Sequence, residues 1–262
     1  MSAFLLAAPH AGMLHPHHAR LVAHVMITAL VVHLHVHVTV RAAAAKAARP
    51  FLRLLAGVLV PKRLISVVTP TWNRLSLLTK RCIPSVRAQS YTGPVEHLII
   101  SDGPDERLSH LPGVTFLPRH EPAPNRGINA RRYGADLARG DLIAYLDDDN
   151  AWWFNHLEIL VRALDDSDAD FAYSQALCTE PHGYRWTIGS EPPGYSQIDT
   201  SMIVHRRELL GVANWQPSPG PADWDLVSRW VDAGAKWVHV PAVTVDYYAR
   251  SMPVTASAYG HP

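Results

Sequence analysis

From Leu64 onward, short β-rich runs alternate with segments whose apolar residues recur at helical spacing, and this alternation leaves few folds open. Ile65 to Thr69 is a β-rich run stopped by Pro70, the signature of a buried strand. Leu75, Leu78, Cys82 and Val86 follow at helical spacing, with Pro84 as an expected kink. His97 to Ile100 predicts a second strand, ended by Ser101-Asp102-Gly103-Pro104. Val114 to Leu117 predicts a third, and Ala130 to Arg139 a helix closed by Gly140. Leu142 to Leu146 predicts a fourth strand, which runs straight into Asp147-Asp148-Asp149-Asn150. Leu157, Leu160, Val161 and Leu164 then mark another amphipathic helix. The order implies an α/β fold with a mainly parallel central sheet flanked by helices. In such sheets ligands sit at the carboxyl ends of the strands, where Asp102 and Asp147–Asp149 fall. No GxGxxG follows the first strand and no GxxxxGK[ST] occurs, so dinucleotide-binding and P-loop readings lose support.

The formal charge of +1 conceals an asymmetry that divides the chain. No Asp or Glu precedes Glu96, whereas eleven of the 24 Lys and Arg do; the body from Glu96 onward is acidic. Residues 1–63 also hold eight of the 16 histidines and low-complexity runs, so they are read as an extension apart from a domain over 64–255. Three readings of the extension compete. His33, His35 and His37 would share one face of a strand and could bind metal, but carboxylates to orient them are missing. Leu21 to Val40 is long enough to span a bilayer, but four histidines oppose insertion. The favoured reading is a poorly ordered tail, with peripheral membrane contact left open and Phe51 to Val60 as a short docking helix. Nucleic acid is not an expected partner. Cys82 and Cys178 lie far apart in no metal-binding spacing, so a reducing, cytoplasmic setting is expected.

Three adjacent carboxylates at the end of a buried strand repel one another, and their burial is costly without a cation. Hard divalent ions with oxygen ligands, Mn²⁺ or Mg²⁺, are the natural partners, and such ions use one or two carboxylates plus substrate phosphates. If the chain stays extended, Asp147 and Asp149 project to one side and Asp148 to the other. The bland alternative is a solvated acidic turn, which describes Asp165-Asp166-Ser167-Asp168 at the end of a helix.

Together these segments resemble family 2 glycosyltransferases with the nucleotide-diphospho-sugar transferase (GT-A) fold. Val67 to Arg74 (VVTPTWNR) looks like that family's first strand and nucleotide loop, and Ser85-Val86 with Gln89 like the end of its first helix. Ser101-Asp102-Gly103 is similar to its Asp-Asp-Gly, with Ser in place of the first Asp. Asn125-Arg126-Gly127 and Ala130-Arg131 resemble its Asn-x-Gly and Ala-Arg-Asn elements, with Arg132 where Asn is usual. Gly140 to Asp149 looks like the segment that carries the DxD motif. Asp223-Trp224-Asp225-Leu226 resembles Glu-Asp-Trp-Asp-Leu, with Ala222 replacing the Glu.

The resemblance implies a metal-dependent, inverting hexosyltransferase-like enzyme that moves a sugar from a nucleotide-diphosphate donor to an acceptor hydroxyl. It implies that Pro70, Thr71, Asn73 and Asp102 contact base and ribose, that Asp147 and Asp148 lie beside them, and that Asp149, with Asp147, holds the metal. Asp223 would be the general base; without the resemblance it reads as a helix cap. Arg131 or Arg132 would partner phosphate. His156 and His205 are read as structural. Two rivals remain: a sugar-phosphate nucleotidyltransferase, which would need a Gly-rich basic loop after the first strand, and a non-catalytic binder of the same fold, favoured by Ser101 and Ala222. The acceptor is not legible in the sequence.

Overall fold

The computed structural model describes residues 62–103, 105–111, 115–116 and 127–249. The expectations for residues 1–61, for Asn125 and Arg126, and for the ends of the third strand at Val114 and Leu117 lie outside these. Among the described residues no helix is long and apolar enough to cross a membrane.

Among the described residues one sheet of nine strands organises the domain: β1 (Ile65–Thr71), β2 (Val95–Ser101), β3 (Thr115–Phe116), β4 (Leu142–Tyr145), β5 (Ala151–Trp152), β6 (Phe171–Thr179), β7 (Arg185–Ile188), β8 (Ile203–Arg206) and β9 (Trp237–Tyr248). Their order is β3-β2-β1-β4-β8-β6-β9-β5, with β7 paired to β6. The four strands from β3 to β4 are parallel, as the alternation implies. The sheet turns mixed beyond β4: β8 is antiparallel to both β4 and β6, while β6 and β9 run parallel. β1 is buried along its whole length because it has a parallel neighbour on each side and a helix across its face. Its run of Ile, Val and Thr suits that setting, and each apolar side chain so buried stabilises the fold by roughly 1.5–3 kcal/mol.

The chain leaves β1 for β2 and β3 on one side and returns to β4 on the other. The crevice between the carboxyl ends of β1 and β4 is therefore the topological switch point, where open α/β sheets bind ligands.

Among the described residues four helical stretches longer than a short 3₁₀ turn pack around the sheet. α1 spans residues 75–87 and is π-wound over Leu78–Cys82, just before Pro84. A widened turn accommodates a proline, which has no N–H to give and crowds the preceding turn. α2 (Ile128–Leu137) starts at Gly127, whose φ of 77° is the left-handed region glycine tolerates. α2 ends at Ala138, before the Gly140 expected to close it. Gly140 instead marks a close approach: a Cβ there would lie 2.6 Å from the Ser66 amide nitrogen and 2.7 Å from the Leu142 carbonyl. α3 (His156–Asp165) lays Leu157, Leu160, Val161 and Leu164 against the sheet, the stripe its spacing predicts. α4 (Ala222–Asp232) buries Leu226, Val227 and Trp230.

The contact of α2 with β1 is set by Gly134, where a Cβ would fall 2.4 Å from Val68 Cγ1 and 3.1 Å from Ile100 Cγ1. Val68 and Ile100 are fully buried and have nowhere to go. A Gly134→Ala substitution gains roughly 1 kcal/mol of helix propensity but overpacks the seam by about 1–3 kcal/mol. The expected result is a lower urea midpoint at an unchanged m-value; a raised midpoint would show that the helix can back away from the sheet.

Candidate functional site

Three loops build the site. The first follows β1. Pro70 is buried and packs beside Gly127 at the start of α2, where a Cβ would come within 3.0 Å of the proline ring. Thr71 is buried and donates its hydroxyl to Asp148 Oδ2 at 2.7 Å. Asn73 adopts a left-handed φ of 54°, and its Oδ1 accepts from Arg107 Nη2 at 2.7 Å. Trp72 between them is exposed. The second loop follows β2: the Asp102 amide donates to the Thr71 carbonyl at 2.8 Å, so the ends of β1 and β2 are tied together with Asp102 buried at the rim. Ser101, which replaces an expected carboxylate, turns its hydroxyl onto the Gly103 carbonyl within the same turn.

The third loop carries the acidic triplet, and here the extended geometry anticipated from the sequence is corrected. The strand ends at Tyr145, and Asn150 N–H closes a turn on the Asp147 carbonyl at 3.1 Å. Asp147 and Asp149 therefore do not alternate with Asp148 as in a strand. Asp148 and Asp149 instead share one nitrogen: Arg74 Nη1 lies 2.7 Å from Asp148 Oδ1 and 2.9 Å from Asp149 Oδ2. Asp147 pairs instead with Arg131 of α2. A third arginine, Arg81 of α1, donates to the Asp149 carbonyl at 2.9 Å while its guanidinium lies 3.7 Å over the Tyr248 ring.

The far side of the turn is fixed to the second half of the sheet. Ser201 Oγ accepts from Asn150 Nδ2 at 3.1 Å and from the Asp147 amide at 3.4 Å, and the Ser201 carbonyl accepts from Trp152 Nε1 at 2.7 Å. Asn150 Oδ1 takes the Tyr248 amide at 3.1 Å. Asp199, one turn before β8, caps its own short 3₁₀ segment by accepting the Ser201 amide at 2.8 Å.

Asp223 is corrected in place as well. It is not the cap of α4; Pro221 holds that position without a side-chain bond, and Asp223 sits in the first turn, accepting the Trp224 amide at 2.8 Å. Asp223 is nonetheless buried beside the acidic loop, where Asp147 repels its charge and Arg131 favours it. Burial raises the pKa of both Asp199 and Asp223, and Asp147 adds to the rise in each. Burial likewise pushes Asp148 up to about 6, against the pull of Arg74 and Thr71. Burial opposes the charge on Arg131, but Asp147, Asp199 and Asp223 hold it protonated. Arg132, the other arginine considered for phosphate, reaches the Trp215 carbonyl at 3.4 Å instead.

The structure thus gathers Thr71, Asp147, Asp148, Asp149, Arg131 and Asp223 around one crevice, with Pro70, Asn73 and Asp102 along its β1–β2 rim. Arg74, Arg81, Asp199 and Ser201 were not anticipated. Arg74 stands in the quoted motif, but nothing in its spacing pairs it with residues so far along the chain. Asp199 and Ser201 lie in a segment with no legible pattern. His156 and His205 are buried and bond to Thr244 and Tyr145 respectively.

Among the described residues, no three His, Cys, Asp or Glu side chains converge on one point as a closed metal site. The donor set still fits a hard divalent ion of the Mg²⁺ or Mn²⁺ type. Such an ion needs only one or two carboxylates when phosphate oxygens and water complete its shell, and Asp149 and Asp147 are oxygen donors at the crevice.

Comparisons with known proteins bear on the family and the fold. The chain is 29% identical over 227 residues to an uncharacterized glycosyltransferase, R139, of Acanthamoeba polyphaga mimivirus, covering 68% of this chain and 91% of the viral protein. It is 26% identical over 129 residues to the glucosyl-dolichyl phosphate glucuronosyltransferase of Haloferax volcanii, covering 44% of this chain and 41% of that one. Across the curated relatives it matches, the shared part spans from 16% to 91% of their length. Among solved structures, S. aureus TarS 1–349 in complex with UDP superposes with a TM-score of 0.58 at 13% identity, over 71% of this chain and 60% of that one, which speaks for the fold. The sequence model of glycosyl transferase family 2 matches residues 66–215, more than half of the 262 residues, so the chain belongs to that family, with its nucleotide-diphospho-sugar transferase (GT-A) fold.

Proposed function

We propose that the protein is a metal-dependent, inverting glycosyltransferase that moves a sugar from a nucleotide-diphosphate sugar to an acceptor hydroxyl. The observation that carries the reading is the juxtaposition, at the switch point of the sheet, of an acidic loop with a buried carboxylate from another element. The acidic loop contributes Asp147–Asp149, and the first turn of α4 contributes Asp223. Arg131 lies between them, paired to Asp147 and felt by Asp223. That the similar TarS fragment was solved with UDP is in keeping with a nucleoside diphosphate as the donor's leaving group.

In this reading Pro70, Thr71, Asn73 and Asp102 hold base and ribose along the β1–β2 rim, with Asp147 and Asp148 closing that side. Asp149, helped by Asp147, would hold Mn²⁺ or Mg²⁺, which would offset negative charge on the diphosphate. Asp223 accepts the proton of the attacking hydroxyl, and its raised pKa makes it a better base than an exposed aspartate. A single displacement of this kind inverts the anomeric centre. Asp223 holds its orientation by accepting the Trp224 amide on Oδ1 at 2.8 Å.

Two substitutions separate these roles. Asp149→Ala is expected to weaken nucleoside-diphosphate binding by roughly 10-fold or more in the presence of Mn²⁺, read by calorimetry. Parent-like affinity would remove Asp149 from the metal site. Asp223→Asn keeps an oxygen for the Trp224 amide, so melting temperature and donor binding should hold while transfer falls by ~10²–10⁴-fold. Near-normal turnover at unchanged melting would take Asp223 out of the mechanism and point to a binding protein or to another carboxylate.

The N-terminal 50 residues carry none of the residues assigned above. A chain beginning at Arg53 should retain donor turnover, and its loss in a folded protein would contradict the assignment. Membrane association confined to the full chain would give that segment an anchoring role.

A further inference from the structure

Arg74 is placed to do more than neutralise the acidic loop. Its Nη1 is consumed by Asp148 at 2.7 Å and Asp149 at 2.9 Å, while Nη2 and Nε have no hydrogen-bond partner among the described residues. The Arg74 side chain keeps 27% of its surface, whereas the two carboxylates that grip it keep 4% and 10%. The guanidinium is thus held at one corner by buried groups and presents its remaining edge at the carboxyl end of β1. A planar fork with two adjacent donors pointing the same way is the arrangement that binds phosphate oxygens bidentately.

We propose that Arg74 is a diphosphate-binding residue, oriented by Asp148 and Asp149, that gives the site an affinity for nucleoside diphosphates independent of any metal ion. The proposal rests on the reading of the crevice as a nucleotide-diphosphate site and names the residue that would grip the diphosphate there. In this view Asp148, whose oxygens are engaged by Thr71 and Arg74, is an anchor for the arginine and not a ligand of the ion. Fixing one corner of the guanidinium removes side-chain freedom before the nucleotide arrives, so less is lost on binding.

The test compares UDP, GDP, ADP and CDP with their monophosphates by titration calorimetry on the full chain, once with Mn²⁺ and once with EDTA. The expected result is that at least one diphosphate binds roughly 10-fold or more tightly than its monophosphate even in EDTA. Arg74→Gln should erase that preference, so that a diphosphate and its monophosphate bind alike. Arg74→Lys is the control for folding: its single nitrogen can replace Nη1 between the carboxylates but leaves no second donor. The lysine variant should therefore melt like the parent and still lose the preference. Three outcomes overturn the proposal while leaving the nucleotide site intact. They are a preference seen only with Mn²⁺, a preference kept in the lysine variant, and equal weakening of mono- and diphosphates by Arg74→Gln. Failure of the parent to bind any of the diphosphates in either buffer would instead remove the nucleotide-site reading, and the proposal with it.

Discussion

Three consecutive carboxylates at the end of a buried strand can be tolerated only if positive charge is brought to them, and the domain is arranged to bring it. Each aspartate of the loop has an arginine, and each arginine comes from a different place. Arg74 follows β1 and holds the Asp148 and Asp149 side chains, Arg81 from α1 holds the Asp149 carbonyl, and Arg131 from α2 holds Asp147. Elements on both sides of the switch point are thereby pinned to one turn. Ion pairs of this burial add little net stability, because desolvation offsets most of the attraction, so their main effect is geometric. They keep a repulsive cluster in one conformation at the mouth of the sheet.

The same loop explains why the second half of the domain departs from the parallel pattern. β8 runs antiparallel beside β4 and brings Ser201 and Asp199 under the turn. α4 then delivers Asp223 to the same neighbourhood. The parallel half supplies the rim, and the mixed half supplies the floor and the candidate base. The raised pKa values of Asp148, Asp199 and Asp223 share one first cause, burial, and mark where the fold tolerates unfavourable charge.

What was legible in the sequence follows from how local each signal is. The strands β1, β2 and β4 announce themselves by apolar runs because a buried strand must be apolar, although β1 does not stop at Pro70: it runs on to Thr71, and Pro70 and Thr71 still pair with Ile100 and Ser101. The position of the acidic loop was readable for the same reason. Its conformation was not: whether the triplet continues as a strand or folds into a turn depends on Asn150, Ser201 and three arginines distant in the chain. Asp223 reads as a residue at the start of a helix, which it is; the alternative reading as a plain cap fails, because the helix starts at Ala222 and Pro221 takes the cap position. Gly140 looked like a helix stop, although its lack of a side chain serves the close passage of Ser66 and Leu142. Asp199 gave no signal, because an isolated Asp in a loop has many uses and only tertiary structure selects one.

The clasp formed by Tyr248 has a consequence for how the protein comes into being. Tyr248 ends the last strand among the described residues, yet its ring lies under Arg81 and its amide holds Asn150, so the acidic loop is bounded by residues far apart in the chain. During synthesis the strands β1, β2 and β4 emerge early and can pair, but the turn after β4 lacks its final restraint until β9 has left the ribosome. Contacts of such long sequence separation form late because the loops they close cost entropy before they return any energy. The restraint that fastens the charged mouth of the sheet is therefore one of the contacts that cost most chain entropy to close.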